Sequence, residues 1–387
     1  MSPTAIPSIV AAVGSALLRH RLHPDGHMDA ADALALGLDV QYACFHPGRP
    51  LLYVLCSNGG VGRAGDRHAL VVLRLDGPRL AVMGAPRALP FRPIHAALDL
   101  RAGRLLVAYN RPAALTVHAL DEEGMPLSTG GPFTDPAVVG HFPHQVLPMP
   151  EGNGVLLVCR GDDPTAEQPE NPGSLRVLAV DAHRAACTQV VAPGDGFGFG
   201  PRNAVFGPGG TWLQVVLERQ NRLVTFGLHD GAIDSTPRFE LALLSEPQAR
   251  QRPQLAGAIE LDRAGTVAYA VNRSHASTRV DGRKVDAGGE NSVVAIALDA
   301  GTGRPHRLQV MPLAGLHARS IALSPDGRWL VAAIRESSVR AEGQGWIDQP
   351  AGLQCFRVQP DGRLALHHHQ VLDDRAAAVF WAGFAPA

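Results

Sequence analysis

The chain has no cysteine framework. Its five cysteines, Cys44, Cys56, Cys159, Cys187 and Cys355, are odd in number, far apart and free of any CxxC pair. That excludes a disulfide scaffold and a zinc ribbon, and fits a reducing compartment. Charge of one sign is also missing: 35 basic and 36 acidic residues leave a formal net charge of -1, so nothing global attracts nucleic acid or an anionic membrane surface. No apolar run reaches the roughly 18 residues needed to span a bilayer. The apolar stretch 6–18 has no Lys or Arg before it and Arg19-His20-Arg21 after it, which reads as strand rather than secretory leader. These absences together lead us to expect a soluble cytoplasmic protein. A GxSxG elbow is absent, excluding serine-esterase chemistry. The glycine-rich segment Gly194 to Gly200 lacks the GxGxxG spacing of a dinucleotide site. His367-His368-His369 is a weak metal candidate, because adjacent strand residues face opposite ways. No cofactor and no metal are expected.

What the chain does have is turns. Forty-two Gly and 31 Pro are spread among many Val, Leu and Ala, the mark of short apolar strands joined tightly. One turn recurs between apolar runs, at Pro47-Gly48-Arg49, Ala102-Gly103-Arg104, Glu151-Gly152-Asn153, Gly209-Gly210-Thr211, Ala264-Gly265-Thr266 and Asp326-Gly327-Arg328. The glycines are spaced by 55, 49, 58, 55 and 62 residues, a period that marks a repeat architecture. A second turn, such as Asp76-Gly77, Asp230-Gly231 or Asp361-Gly362, follows each of these hairpins and joins a further pair of strands. A seventh copy, Asp25-Gly26, precedes any turn of the first kind. Its blade lacks inner strands, and the C-terminal segment 379–387 is the natural supplier. The expected fold is therefore all-β: a single-domain seven-bladed β-propeller over residues 1–387, with four antiparallel strands per blade and both termini in one blade.

The anchor glycines make equivalent positions comparable. Eight residues before them stand Val40, His95, His144, Arg202, Gly257 and Arg319; eight after stand Cys56, Arg111, Arg160, Glu218, Arg273 and Arg335. Positions equally far from a hairpin turn lie side by side at its open end, so both sets are expected on one rim of the central channel. That rim holds six arginines, two histidines and one carboxylate in an otherwise neutral chain. Clustered guanidiniums repel one another, and the arrangement makes sense with a small anion between them. Three long non-repetitive segments, 162–174, 274–291 and 336–350, follow arginines of the second set and are expected over the same mouth.

Several segments resemble the lactonase family of seven-bladed propellers, which includes 6-phosphogluconolactonases and carboxymuconate-lactonizing enzymes. They are Pro143-His144-Gln145-Val146, Gly200-Pro201-Arg202, Leu217-Glu218-Arg219-Gln220-Asn221-Arg222, Val271-Asn272-Arg273 and the blade signature 320–333. The resemblance implies that His144, Arg202, Glu218 and Arg273 are active-site residues, and it implies no metal. This chain departs from the family where Phe142 precedes Pro143-His144, where Asn203 stands for a His, and where Arg160-Gly161-Asp162-Asp163 replaces an Asp-Leu-Gly-Ala-Asp run.

Opening a lactone requires an activated water, stabilisation of the oxyanion and, for a sugar acid, a hold on its charged group. His144 suits a general base, with Glu218 as the other candidate or as its orienting group. Arg202 and Arg273 suit the oxyanion and the anion. His95, Arg111, Arg160, Arg319, Arg335, Gln145 and Asn203 are the remaining candidate substrate-binding side chains. The substrate expected is a small anionic lactone; a dicarboxylate closed to a lactone by the reverse reaction is the alternative, and a non-catalytic binding propeller is a third.

Overall fold

In the computed structural model, which describes residues 8–77, 79–127, 131–246, 253–343, 345–372 and 377–386, strands dominate and a sheet recurs seven times. The innermost strands are Asp39–Phe45, Pro93–Asp99, Pro143–Pro148, Pro201–Phe206, Gln254–Leu261, Leu316–Leu323 and Val379–Phe384. Each contacts the next, and the last contacts the first. We number the blades 1 to 7 in that order. In blade 7 the strand Val379–Phe384 pairs antiparallel with Ser8–Val13, which pairs with Ala16–Leu22 and then Met28–Ala35. From residue 8 on, the apolar stretch near the N-terminus is thus two strands joined by a turn at Gly14-Ser15.

The second strand of a blade is covered on both faces by neighbouring blades. Leu51–Ser57, Arg104–Asn110 and Trp212–Leu217 are accordingly buried along their whole length, as continuous apolar runs require. Outer strands alternate instead; Ala185–Val191 is the clearest case. The apolar clusters lie between consecutive sheets, for example Val10, Ala12, Leu52, Val54 and Trp381 between blades 7 and 1.

Polar stitches cross the same seams. Tyr53 donates to the Gly124 carbonyl (2.6 Å), Trp212 to Ala300 (3.0 Å) and Tyr269 to Gly362 (2.9 Å). In each, a ring on the second strand of one blade reaches the outer turn of the next. Tyr269→Phe, which leaves that carbonyl without its donor, is expected to cost about 1–2 kcal/mol, read as a lower midpoint in urea with an unchanged slope.

Two expectations about strand count need correction. Among the described residues blade 2 has three strands and a bridge between Leu115 and Phe133 in place of the fourth. Its outer segment contains Pro126, Pro132 and Pro136, which cannot donate to a ladder. Blade 4 has five, because both Ala232–Ile233 and Phe239–Ala242 pair with Arg222–His229. The anchor glycines take positive φ at 103, 152, 210, 265 and 327. Gly48 does not, and its N–H is taken by the His46 ring at 3.1 Å.

Every innermost strand is bulged near the same end. Pairing runs Pro143↔Cys159 then Gln145↔Val158, Pro201↔Leu217 then Asn203↔Val216, and Ala318↔Ile334 then Ser320↔Ala333. His144, Arg202 and Arg319 are the residues skipped. Equivalent shifts skip Gln41, Ile94 and Phe380 and fall at Gly257-Ala258. A bulge leaves its residue out of the ladder and re-aims the side chain. Seven bulges at one end therefore make a ring.

Candidate active site

Glu218 is the carboxylate on which three arginines converge. It follows the strand Trp212–Leu217, and its backbone is fixed between blades: its N–H donates to the Gly200 carbonyl (2.8 Å), and its own carbonyl accepts from Ala256 N–H (2.8 Å). Its carboxylate is 5% exposed and meets three guanidiniums. Arg160 Nε binds Oε2, Arg273 Nη2 binds Oε1, and Arg202 Nε lies 2.8 Å from Oε1. Burial works against ionisation, but Arg273, Arg160 and Arg202 outweigh it and hold the carboxyl at about 2. Glu218 is thus a fixed negative charge.

The arginines differ in how they are held. Arg160 also donates to Asp163 Oδ2 (2.5 Å) and the Gly161 carbonyl (3.1 Å). Arg273 donates to the Ala256 carbonyl (3.2 Å) and to His317 Nε2 (3.0 Å). Arg202 is held by Asn203 Oδ1 as well as Glu218, and burial together with Arg273 lowers it to about 9. Arg319 lies with its guanidinium carbon 4.4 Å from the centre of the Phe380 ring, so two neighbouring bulge residues are stacked. Burial and the fields of Arg202, Arg273 and Arg335 push it well below the usual arginine value. No carboxylate among the described residues pairs with Arg319. Among the described residues the one carboxylate paired with Arg335 is that of Glu336, at 3.3 Å.

Arg160, Glu218, Arg273, Arg319 and Arg335 line a cavity of about 490 Å³, together with His144, His275, His317, Phe142 and the turn at 60–64. Seven arginines and two carboxylates line it among the described residues. His144 Nδ1 is buried without a hydrogen-bond partner. Burial first, then Arg202, Arg319 and Arg273, lower its pKa well below the ordinary histidine value, so the ring is neutral at pH 7.

Not every expected residue reaches this cavity. Arg160, Glu218, Arg273, Arg319, Arg335, His144 and Arg111 do, whereas Arg202 is not among its lining residues. Arg111 stands at its outer edge, about 70% exposed, paired with Asp162 at 2.9 Å and lying over the Phe142 ring. His95 lies off the cavity wall, its ring tilted against Tyr42 with centroids 4.3 Å apart, with burial and Arg202 lowering it to about 3; the bulge in blade 2 re-aims Ile94 instead. Gln145 spends its amide on an inter-blade clamp, donating to the Ala204 carbonyl (3.2 Å) and accepting from Ala204 N–H (2.6 Å). Asn203 holds Arg202 from behind. Positions equally far from the turn pair as expected only at Val40 and Cys56, because the other hairpins are centred before their glycine and the bulge then adds to the offset instead of cancelling it.

Sequence reasoning missed Phe142, His275 and His317. Phe142 and His317 both stand two residues before a bulge residue, with φ of 52° and 59°, a left-handed backbone uncommon away from glycine. The segments expected as loops over the mouth at 274–291 and 336–350 each contain a hairpin, and the two join through parallel pairing of Val285 with Val339 into one small sheet. Among the described residues no group of His, Cys, Asp or Glu is arranged to hold a metal ion, and no helix is long and apolar enough to cross a membrane.

Residues 8–341 match the family model described as lactonase, 7-bladed beta-propeller. The chain belongs to this lactonase family. No curated protein matches it by sequence. Solved structures resemble it at low identity. The periplasmic gluconolactonase of Pseudomonas aeruginosa is 17% identical, with 98% of this chain and 99% of that chain covered and a TM-score of 0.72. A candidate 6-phosphogluconolactonase from Bacteroides uniformis is 17% identical over 98% and 99%, with a TM-score of 0.69. One from Bacteroides fragilis is 15% identical over 99% of each chain, with a TM-score of 0.66. These likenesses bear on fold alone. The alternative of a cycloisomerase that closes a dicarboxylate to a lactone gains nothing from the comparisons.

Proposed function

We propose that the mouth cavity of this lactonase-family propeller hydrolyses an anionic sugar-acid lactone, of the 6-phosphogluconolactone type or derived from an aldaric or uronic acid. The carrying observation is the charge imbalance: Glu218 neutralises only part of the field of Arg160, Arg202 and Arg273, while Arg319 has no carboxylate partner among the described residues. Such a cavity favours a ligand that brings negative charge.

Neutral His144 takes a proton from water as the water oxygen bonds to the lactone carbonyl carbon. Arg273 stabilises the oxyanion, and Arg202, off the cavity wall, acts through Glu218. The ring C–O bond then breaks, the ring oxygen takes up a proton, and the hydroxy acid leaves with one proton released to solvent. The lowered pKa of His144 makes it a weak base in the empty cavity. A bound anion offsets the arginine fields that lower it, so the substrate itself raises the basicity of His144. Arg160 works through Glu218, and Arg319 and Arg335 hold the charged group. The five unpaired cysteines fit a reducing compartment.

The test is pH-stat hydrolysis of phosphorylated, carboxylated and neutral lactones of the same ring size. Arg319→Ala is expected to raise KM for the charged lactones about tenfold or more, by loss of a charge-assisted contact, and to change it little for the neutral one. An equal effect on both removes the anion subsite from the proposal. No hydrolysis of any lactone in the panel removes the activity itself.

A further inference from the structure

Arg273, which grips Glu218, also begins a second hydrogen-bond chain that leads back to the cavity. Its Nη1 lies 3.0 Å from His317 Nε2, and His317 Nδ1 lies 3.3 Å from His275 Nδ1. The two rings are 5.1 Å apart between centroids. A guanidinium can only donate, so His317 Nε2 must carry the lone pair. A neutral imidazole then has its hydrogen on Nδ1. That hydrogen points at His275 Nδ1, which must accept it, and neutral His275 is left with its hydrogen on Nε2.

Each link is fixed by something other than itself. The left-handed backbone of His317 (φ 59°) is held where Asn291 Oδ1 accepts from both His317 N–H (3.1 Å) and Ser274 N–H (3.0 Å), tying blade 6 to blade 5. His317 is 5% exposed, and burial with Arg273, Arg319 and Arg335 keeps it neutral. His275 is exposed and lines the cavity beside Arg273 and Arg335; burial of part of its ring, then those two arginines, lower its pKa as well. A protonated His275 would turn a second N–H against that of His317 and break the chain.

We infer that Arg273, His317 and His275 form a directional chain that presents the Nε2–H of His275 to an oxyanion bound in the mouth cavity. His275 is then a ligand-binding residue, and His317 a positioning residue that sets its tautomer. The inference rests on the reading that this cavity holds an anion, and adds to the arginines a neutral donor of fixed direction, suited to a phosphate or carboxylate oxygen.

The test uses the full chain with 15N-labelled histidine and inorganic phosphate as probe. At neutral pH, proton–nitrogen correlation should show His317 with a protonated Nδ1 and a bare Nε2, and His275 with the reverse; the signals are assigned with His275→Ala and His317→Phe. Phosphate should shift the His275 Nε2 signal. His275→Ala should weaken phosphate binding about tenfold, the loss of a hydrogen bond to a charged oxygen. His317→Phe should mix the His275 tautomers and weaken phosphate roughly threefold. A bare Nε2 or a charged ring at His275 in the parent overturns the chain, whether or not the variants fold. A phosphate titration that leaves His275 Nε2 unmoved overturns its role as ligand. None of these readouts needs turnover, so failure of lactone hydrolysis and failure of the chain are distinguishable.

Discussion

Glu218→Gln should both inactivate the protein and destabilise it by about 3–5 kcal/mol, the usual cost of removing one partner from a buried ion pair. The substitution keeps shape and removes only charge, leaving Arg160, Arg202 and Arg273 converging on a neutral amide. The same charge predicts a pH dependence. The carboxyl titrates at about 2 in the folded protein against 4.5 in its absence. A depressed folded value contributes stability that is complete above the unfolded pKa and disappears as pH falls through the folded one. Some 3 kcal/mol, to order of magnitude, is therefore lost between about pH 5 and pH 2 in the parent, and that part of the acid slope should be missing in Glu218→Gln. Inorganic phosphate supplies negative charge to the same guanidiniums, so it should raise the thermal midpoint of the variant more than that of the parent. Parent-like stability in the variant, with parent-like acid sensitivity, would falsify the picture of three arginines gathered by one carboxylate.

The propeller was legible because its turns repeat. Glycines at 48, 103, 152, 210, 265 and 327 mark the hairpins without any knowledge of contacts, and the apolar second strands follow from burial on both faces. The gathering of the site's side chains was legible in part for the same reason: His144, Arg202 and Arg319 are bulge residues, Glu218 and Arg160 follow the facing strands, and Arg273 and Arg335 stand near the ends of theirs. Counting from the turn failed where the bulge falls one residue away. In blade 2 it skips Ile94 rather than His95, and in blade 1 Gln41 rather than Val40. Position along a strand fixes the face of a side chain only while the ladder is regular. Gln145 illustrates a different limit. Its neighbour in sequence faces the cavity, whereas its amide closes two backbone bonds to Ala204 in the next blade, a partnership set by packing between blades. His317 had no signal at all, because its place depends on a left-handed backbone and a clamp from Asn291.

Replacing His144 by alanine should lower kcat by about 10²–10⁴, the range for loss of a general base, with KM for an anionic lactone changed much less, since the arginines that hold the charge remain. The pH profile discriminates this role from a structural one. A base must be unprotonated, and His144 is held well below its ordinary value of 6.5 by burial and by Arg202, Arg319 and Arg273. In the free enzyme the acid limb of kcat/KM assigned to it should accordingly lie below pH 6.5. In the complex the substrate's charge cancels part of the arginine field, so the acid limb of kcat should lie at higher pH than that of kcat/KM. The two profiles report free enzyme and complex separately, and a neutral lactone, which cancels nothing, should show no such separation. Arg319→Ala removes one of the fields acting on His144 and should move the kcat/KM limb upward even for the neutral substrate. If His144→Ala keeps its turnover, or if the limbs coincide for charged and neutral lactones alike, water activation belongs to another group, and the coupling of substrate charge to basicity fails with it.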